Sequence, residues 1–434
     1  MNKVALHTVG CKLNYAETSA VGERFKREGF EIAELGSDSN IIVINSCTVT
    51  ENANRECRQI VRRALRKNPE ACVIVTGCYA QLKPEEIASI DGVDYVLGSS
   101  EKFRLFEIID SFTKQEVPQV TVGEIAHETS FGPAFNRESD ARTRAFLKVQ
   151  DGCDYNCSFC TIPLARGASR SQPISEVIQQ ATELVERSYK EIVLTGVNTG
   201  DYGRKNGSSL CELLLRLHDV NGIQRLRISS IEPNLLTDEI IKLTAASDRM
   251  MPHFHIPLQS GSDTILSKMR RRYRSEDYRN RVETILETIP DAGIGVDVIV
   301  GFPGEGKEEF MATYEFLHDL PVQYFHVFTY SEREKTPARE FAGCVPVKER
   351  RRRTRMVRTL SEKKKGEFAA CFFDSVRAVL FEAKRVDGTI QGYTDNYIRV
   401  SVEGKEEIQG QIIDVRIGEW QGESVRSVPF TQTV

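Results

Sequence analysis

The run Gly152-Cys153-Asp154-Tyr155-Asn156-Cys157-Ser158-Phe159-Cys160-Thr161 carries three cysteines separated by three and then two residues. Thiolates so spaced on one loop can each reach a different iron of a cubane cluster, which leaves the fourth iron without a protein ligand and open to a small molecule. A structural zinc site is the rival reading; tetrahedral zinc wants four ligands, and no fourth Cys or His lies on this loop. The run directly follows a short apolar segment, Phe146 to Val149, the first of a series. The others are Ile192 to Leu194, Leu226 to Ser229, Phe254 to Pro257, Val296 to Val300 and Phe325 to Tyr330, with helical patterns between them such as Ser175 to Arg187 and Tyr278 to Thr288. Such a series of βα units predicts a parallel sheet closed into a partial (βα)6 barrel, whose functional loops leave the C-terminal ends of the strands.

Outward from this core the chain changes character twice. Val4 to Val9, Ile41 to Asn45 and Val73 to Thr76 are buried-strand runs separated by helical patterns, which predicts a parallel α/β domain over residues 1–113. Residues 114–143 turn polar, with Pro118, Gly132 and Pro133, and read as a connector; the barrel core then spans 144–370. That core ends in a helix from Lys348 to Lys365 with ten Lys/Arg and two Glu. Short alternating runs over 371–434, such as Val376 to Phe381 and Gln411 to Ile417, predict a small all-β barrel. The chain is thus an α/β multidomain protein, as 434 residues at about 150 per domain suggest.

Lys+Arg 58 against Asp+Glu 62 leaves a net charge of -4, which excludes a globally basic nucleic-acid coat. Affinity for RNA must come from local patches: Arg55, Arg58, Arg62 and Arg66 on one helix face, Arg270-Arg271-Arg272-Tyr273-Arg274, and the Lys348 to Lys365 helix. No segment approaches 18 consecutive apolar residues and no leader-like run opens the chain, so a cytoplasmic location without a membrane is expected. In that reducing compartment, 11 cysteines point to metal ligands or free thiols.

Cys11, Cys47 and Cys78 stand far apart in sequence, yet each lies just past the C-terminal end of one N-terminal strand run. In a parallel sheet those ends face one way, so the three thiols can converge. Cys57 shares an apolar helix face with Ala53, Ile60 and Ala64, and Cys72 starts its strand at the opposite end. Both are expected as buried apolar cysteines, as are Cys211, Cys344 and Cys371, which have no partner at ligand spacing.

The C-x3-C-x2-C run, with Phe159 before its last cysteine, resembles the radical S-adenosylmethionine superfamily. The strand ends agree: Leu194-Thr195-Gly196-Val197-Asn198-Thr199-Gly200, Ser229-Ser230-Ile231-Glu232-Pro233, Ile256 to Ser262 and Asp297 to Gly304. The resemblance implies that Cys153, Cys157 and Cys160 are the catalytic set, holding a [4Fe-4S] cluster whose open iron chelates S-adenosylmethionine. It also implies that Phe159, Gly196, Asn198, Ser230, Glu232, Gln259 and Val298 surround that cofactor. Arg166 and Arg170, close behind the cysteine loop, suit an anion, either the cofactor carboxylate or an RNA phosphate. His253 and His255 share one strand face and need no metal role.

Gly10-Cys11-Lys12-Leu13-Asn14, Asn45-Ser46-Cys47-Thr48-Val49 and Thr76-Gly77-Cys78-Tyr79-Ala80 add a second resemblance, and the C-terminal barrel is similar to the TRAM RNA-binding module. Together they make the whole chain resemble the tRNA methylthiotransferases, most of all the branch that acts on N6-threonylcarbamoyladenosine next to the anticodon. Isopentenyladenosine in tRNA, or an aspartate of a ribosomal protein, are the alternative substrates of the family. The resemblance implies two [4Fe-4S] clusters, the second on Cys11, Cys47 and Cys78. It implies two S-adenosylmethionine molecules, one methylating sulfur at the second cluster and one cleaved to a radical that takes hydrogen from carbon 2 of adenine. Expected partners are the tRNA anticodon stem-loop, an electron donor such as flavodoxin or ferredoxin, and a sulfur donor.

Overall fold

The computed structural model describes residues 2–48, 51–132, 134, 143–385, 388–403 and 406–429. In the N-terminal domain, β1 (Lys3–Thr8), β2 (Glu31–Ala33), β3 (Ile41–Ser46), β4 (Cys72–Gly77), β5 (Tyr95–Leu97) and β6 (Gln119–Thr121) form one parallel sheet in the order β2-β1-β3-β4-β5-β6. Every residue of β3 and β4 is buried, because these central strands are covered on both faces. The three-residue strands β2, β5 and β6 are too short to leave a periodic signal. β6 lies in the stretch that reads as a connector and is exposed at every residue, so the sheet extends past residue 113. Residues 133 and 135–142 of that connector lie outside the described residues.

The core holds β7 (Arg144–Lys148), the short antiparallel pair β8 (Gln150–Asp151) and β9 (Arg170–Ser171), β10 (Glu191–Thr195), β11 (Arg225–Ile228), β12 (His253–His255), β13 (Gly293–Val300) and β14 (Tyr324–Thr329). The ladders run β7-β10-β11 and β12-β13-β14, all parallel, and bridges at Leu226–Met250 and Ser230–His255 join the two halves. Among the described residues no ladder joins β7 to β14, so the barrel is partial, as expected. Leu147, Ile192, Leu226, Ile294 and Val296 are buried in the main core, each such side chain contributing about 1.5–3 kcal/mol. The helix Val347–Ala370 packs along β14.

The C-terminal domain is a nearly closed six-stranded barrel of β15 (Val376–Lys384), β16 (Thr389–Thr394), β17 (Arg399–Glu403), β18 (Ile412–Arg416), β19 (Val425–Arg426) and β20 (Val428–Pro429), in the order β19-β17-β16-β15-β18-β20. It seals the bottom of the larger barrel. Arg225 Nη2 donates to the Ala378 carbonyl at 2.7 Å and Arg227 Nη1 to the Asp395 carbonyl at 2.9 Å. Burial alone would raise the Glu191 carboxyl, but Arg227, Arg144 and Arg225 hold it down at about 2. Among the described residues, no helix is long and apolar enough to cross a membrane.

Candidate cluster and cofactor site

Strands β1, β3 and β4 deliver Cys11, Cys47 and Cys78 to one end of their sheet, where the charge of Cys78 acts on Cys11. Two glycines make this approach possible. Gly10 has φ +107°, and a Cβ there would stand 2.7 Å from Cys47 Sγ; Gly77 has φ +93°, and a Cβ there would stand 2.4 Å from Asn45 Oδ1. Any side chain at either position would push the set apart.

The guanidinium of Arg166 braces this set from below. Its nitrogens donate to Asn14 Oδ1 at 2.6 Å, to Glu17 at 2.9 and 3.0 Å and to Asp151 Oδ1 at 2.8 Å. Lys148 and Lys102 pair with the same Glu17. Burial would raise the Glu17 carboxyl, yet Arg166, Lys102 and Lys148 hold it well below the usual carboxylate range. Lys102 is the weakest member, since burial lowers its ammonium more than Glu17 restores it. Three buried cations thus face two carboxylates, leaving positive charge beside the cysteine set to balance metal-bound thiolates.

Arg166, read from the sequence as a ligand of an outside anion, is 2% exposed and its forks are filled by the protein's own Glu17 and Asp151. Arg170 donates to the carbonyls of Arg166 and Ala168, and its buried Nε has no partner among the described residues. Glu17 lies 149 residues from Arg166 in sequence, beyond any local pattern.

Cys153, Cys157 and Cys160 lie on the loop between β8 and β9. The Tyr155 N–H reaches Cys153 Sγ at 3.4 Å, the Ile162 N–H reaches Cys160 Sγ at 3.4 Å, and Arg271 Nη1 donates to Cys157 Sγ at 3.1 Å. Burial pushes the Cys153 and Cys160 thiols up to about 12, with the charge of Cys157 adding to the rise. A thiolate there needs a cationic partner, which iron supplies. Among the described residues, neither cysteine set brings three sulfurs within 4.8 Å of one another. One tetrahedral zinc with 2.3 Å bonds would need them about 3.8 Å apart. A cubane makes no such demand, because its ligating sulfurs bind different irons.

A cavity of about 180 Å³ opens beside Phe159 and Cys160, walled also by Gln259, Asp297, Ile299 and Phe328. Gln259 takes φ +71°, held there as its N–H donates to the Asp297 carbonyl at 2.8 Å and its carbonyl accepts the Ile299 N–H at 2.9 Å. A non-glycine residue in this region is strained, and the ladder of β13 maintains it. Of the residues expected around the cofactor, Phe159 and Gln259 line this cavity. The others brace it. A Cβ on Gly196 would meet Gln150 at 2.9 Å; Asn198 accepts the Glu232 N–H at 3.3 Å and donates to Asp201; the Ser230 hydroxyl bonds His255 Nδ1 at 2.8 Å; Glu232 pairs with Arg271; Val298 is buried in the core. Tyr330 also lines the cavity, and its buried hydroxyl has no partner among the described residues, as suits a site that takes a polar ligand.

The basic patches are thinner than the sequence suggests. Arg58 is taken by Tyr79 and Glu86, Arg271 by Glu232 and Cys157, and Arg350 and Arg353 are buried against Glu332 and Glu305. Arg271 is the member of its run that reaches Cys157, a contact the sequence hides because a run of arginines reads as solvated surface. Cys57 and Cys72 are buried as expected, whereas Cys211 is half-buried and Cys344 and Cys371 are exposed, since short-range apolar pattern does not report which face solvent reaches.

Residues 3–98 match the model of an uncharacterised protein family, UPF0004, and residues 147–317 match that of the Radical SAM superfamily. The chain is 41% identical over 427 residues to the threonylcarbamoyladenosine tRNA methylthiotransferase MtaB of Bacillus subtilis, covering 96% of this chain and 94% of that one. The protein of the same name from Aquifex aeolicus is 38% identical, covering 96% and 100%. Among solved structures, the radical S-adenosylmethionine methyltransferase TsrM of Kitasatospora setae superposes with a TM-score of 0.55 at 18% identity, over 78% of this chain and 77% of that one, a likeness of fold. With two cysteine sets on two parallel sheets and this agreement along nearly the full length, the chain belongs to the methylthiotransferase family of radical S-adenosylmethionine proteins.

Proposed function

We propose that the chain attaches a methylthio group to carbon 2 of N6-threonylcarbamoyladenosine next to the anticodon of tRNA. The observation that carries this reading is the juxtaposition of two cysteine triads across a domain boundary. The helix Cys78–Leu82, which opens on an N-terminal ligand, packs against the helix Ile162–Arg166 that follows Cys160, and Ser99 Oγ donates to the Ala165 carbonyl at 2.8 Å. Relatives named for this substrate align over nearly the whole chain. When bound, S-adenosylmethionine and two [4Fe-4S] clusters supply the hydrogen-abstracting radical and the sulfur, chemistry that side chains cannot perform on an inert aromatic C–H.

The chain's own residues position and shield. Cys153, Cys157 and Cys160 hold one cluster and Cys11, Cys47 and Cys78 the other. Phe159, Ile299 and Phe328 exclude water from the cavity, Arg271 ties the cysteine loop to Glu232, and the Arg166–Glu17 pair sets the distance between the two domains. The exposed Arg55, Arg62, Arg66, Arg270, Arg272 and Arg274 meet tRNA phosphates. Each phosphate neutralised adds about 0.7–0.9 to the slope of log K against log salt, so a slope of several units is expected in a titration. Electrons come from a flavodoxin or ferredoxin, and the setting is cytoplasmic.

The test is anaerobic reconstitution with iron and sulfide, followed by reaction with S-adenosylmethionine, a reductant and tRNA, and mass spectrometry of the nucleosides. A 2-methylthio product from tRNA bearing threonylcarbamoyladenosine is expected. A product only from isopentenyladenosine tRNA, or only from a ribosomal protein, would overturn the substrate assignment.

A further inference from the structure

Cys47 hangs between two neighbours that the barrel holds. Before it, the Ser46 carbonyl accepts from Asn14 Nδ2 at 3.1 Å, and Asn14 Oδ1 accepts from Arg166 Nη2 at 2.6 Å. After it, the Thr48 hydroxyl accepts from Arg333 Nη2. Arg333 belongs to the turn that follows β14, whose Ser331 walls the cavity beside Cys160 and accepts the Glu51 N–H at 3.3 Å. Arg333 Nη1 also reaches Glu51 at 3.5 Å, and the next residue, Glu334, pairs at 3.0 Å with Lys83 at the end of the helix that Cys78 opens.

The same turn is tied to the barrel's own cysteine loop. Thr336 closes it by donating its hydroxyl and its N–H to the Arg333 carbonyl at 2.7 and 3.3 Å, and the Ala338 N–H then donates at 2.9 Å to the carbonyl of Ser158, between Cys157 and Cys160. Ser158 is fixed in turn by the carbonyls of Met269 and Lys268. The segment from Arg333 to Ala338 thus carries a continuous run of bonds from one cysteine set to the other. Stability does not account for the arginine, because Arg166 and Lys148 already join the two domains through Glu17. Arg333 is 6% exposed, faces a hydroxyl and one half-exposed carboxylate, and its Nε has no partner among the described residues. Burying a guanidinium so thinly paired returns little stability; what its planar fork adds is a fixed direction.

We propose that Arg333 is a positioning residue for methylthio transfer: together with Arg166 it holds Cys47 from both sides, and through the turn to Ala338 it sets that cysteine's distance from the loop of Cys153, Cys157 and Cys160. This rests on the reading above that each cysteine set carries a cluster and that both serve one substrate carbon. A reaction shared by two centres is sensitive to their separation, since a misplacement of about 1 Å can cost about a hundredfold in rate. In the chain Arg333 stands within Tyr330-Ser331-Glu332-Arg333-Glu334-Lys335, a charged run that reads as a solvated turn.

The test compares Arg333→Gln, Thr48→Val and the double variant with the wild type. In the iron-free chain, hydrogen exchange at Ser46, Cys47 and Thr48, read by mass spectrometry, should be faster in each variant. After anaerobic reconstitution, iron content should match the wild type, while the 2-methylthio nucleoside formed per 5′-deoxyadenosine should fall about tenfold or more in each single variant. A general loss of folded protein would lower both products together and leave that ratio unmoved. Because Arg333 acts through Thr48, the double variant should lose no more than either single one. Thr48→Val is the smaller change and reads the same contact if Arg333→Gln fails to fold. A wild-type ratio in both single variants, losses that multiply in the double variant, or loss of about half the iron would each overturn the positioning role while the function stands. If the wild type itself forms no methylthio nucleoside, the proposed function fails and takes this one with it.

Discussion

Replacing Cys11, Cys47 and Cys78 together by alanine is expected to lower the iron bound after reconstitution from about eight to about four per chain and to abolish methylthio transfer. Cleavage of S-adenosylmethionine should persist. The reason is spatial separation: the three sulfurs hang from β1, β3 and β4 of the N-terminal sheet, while Cys153, Cys157 and Cys160 sit on a loop of the barrel with their own N–H donors. Removing one set leaves the contacts of the other in place. Each substitution deletes one sulfur atom, a loss small enough for the sheet to keep its packing. Iron and labile sulfide assays, with 5′-deoxyadenosine counted by chromatography, decide it. About four irons in both proteins would mean that the N-terminal set holds no cluster.

Glu17→Ala is expected to destabilise the folded chain by about 3–5 kcal/mol, the range found when one partner of a buried ion pair is removed. Glu17 is 1% exposed and accepts from Arg166, Lys102 and Lys148, all buried. Without it Lys148 and Arg166 share the one remaining carboxylate, Asp151, and Lys102 loses its ion-pair partner, in a medium that solvates none of them. Lys102→Met should cost much less, because burial already lowers the Lys102 ammonium and a methionine fills the same space. The sign of the pH dependence follows from the depressed Glu17 carboxyl. Its contribution is complete above the ordinary value of about 4.3 and drains as pH falls below it, so the wild type loses stability there and Glu17→Ala has less to lose. Denaturant midpoints for the three proteins between neutral and acid pH provide the check. A Glu17→Ala cost no larger than that of Lys102→Met would show that the network contributes nothing beyond packing.

How legible was this in the chain? The barrel strands emerge at nearly their observed places, because buried parallel strands are continuous apolar runs and the runs recur at regular intervals. The cysteine loop was legible for a similar reason, since its three cysteines are neighbours in the chain. The edge strand β6 was not, because three exposed residues obey no burial pattern. Nor were the arginines: Arg166, Arg271, Arg350 and Arg353 look alike as letters, and each is committed to a partner that only the fold brings near.

By itself the sequence determined the two parallel α/β domains and the β-barrel that follows them, since these depend on periodicity within a few residues. The tertiary structure decided what each charge does. Arg166 meets Glu17 across 149 positions and Arg271 meets Cys157 across 114. The energy of a charge depends on its distance to the next one and on the water excluded between them, and neither quantity exists until the chain has folded.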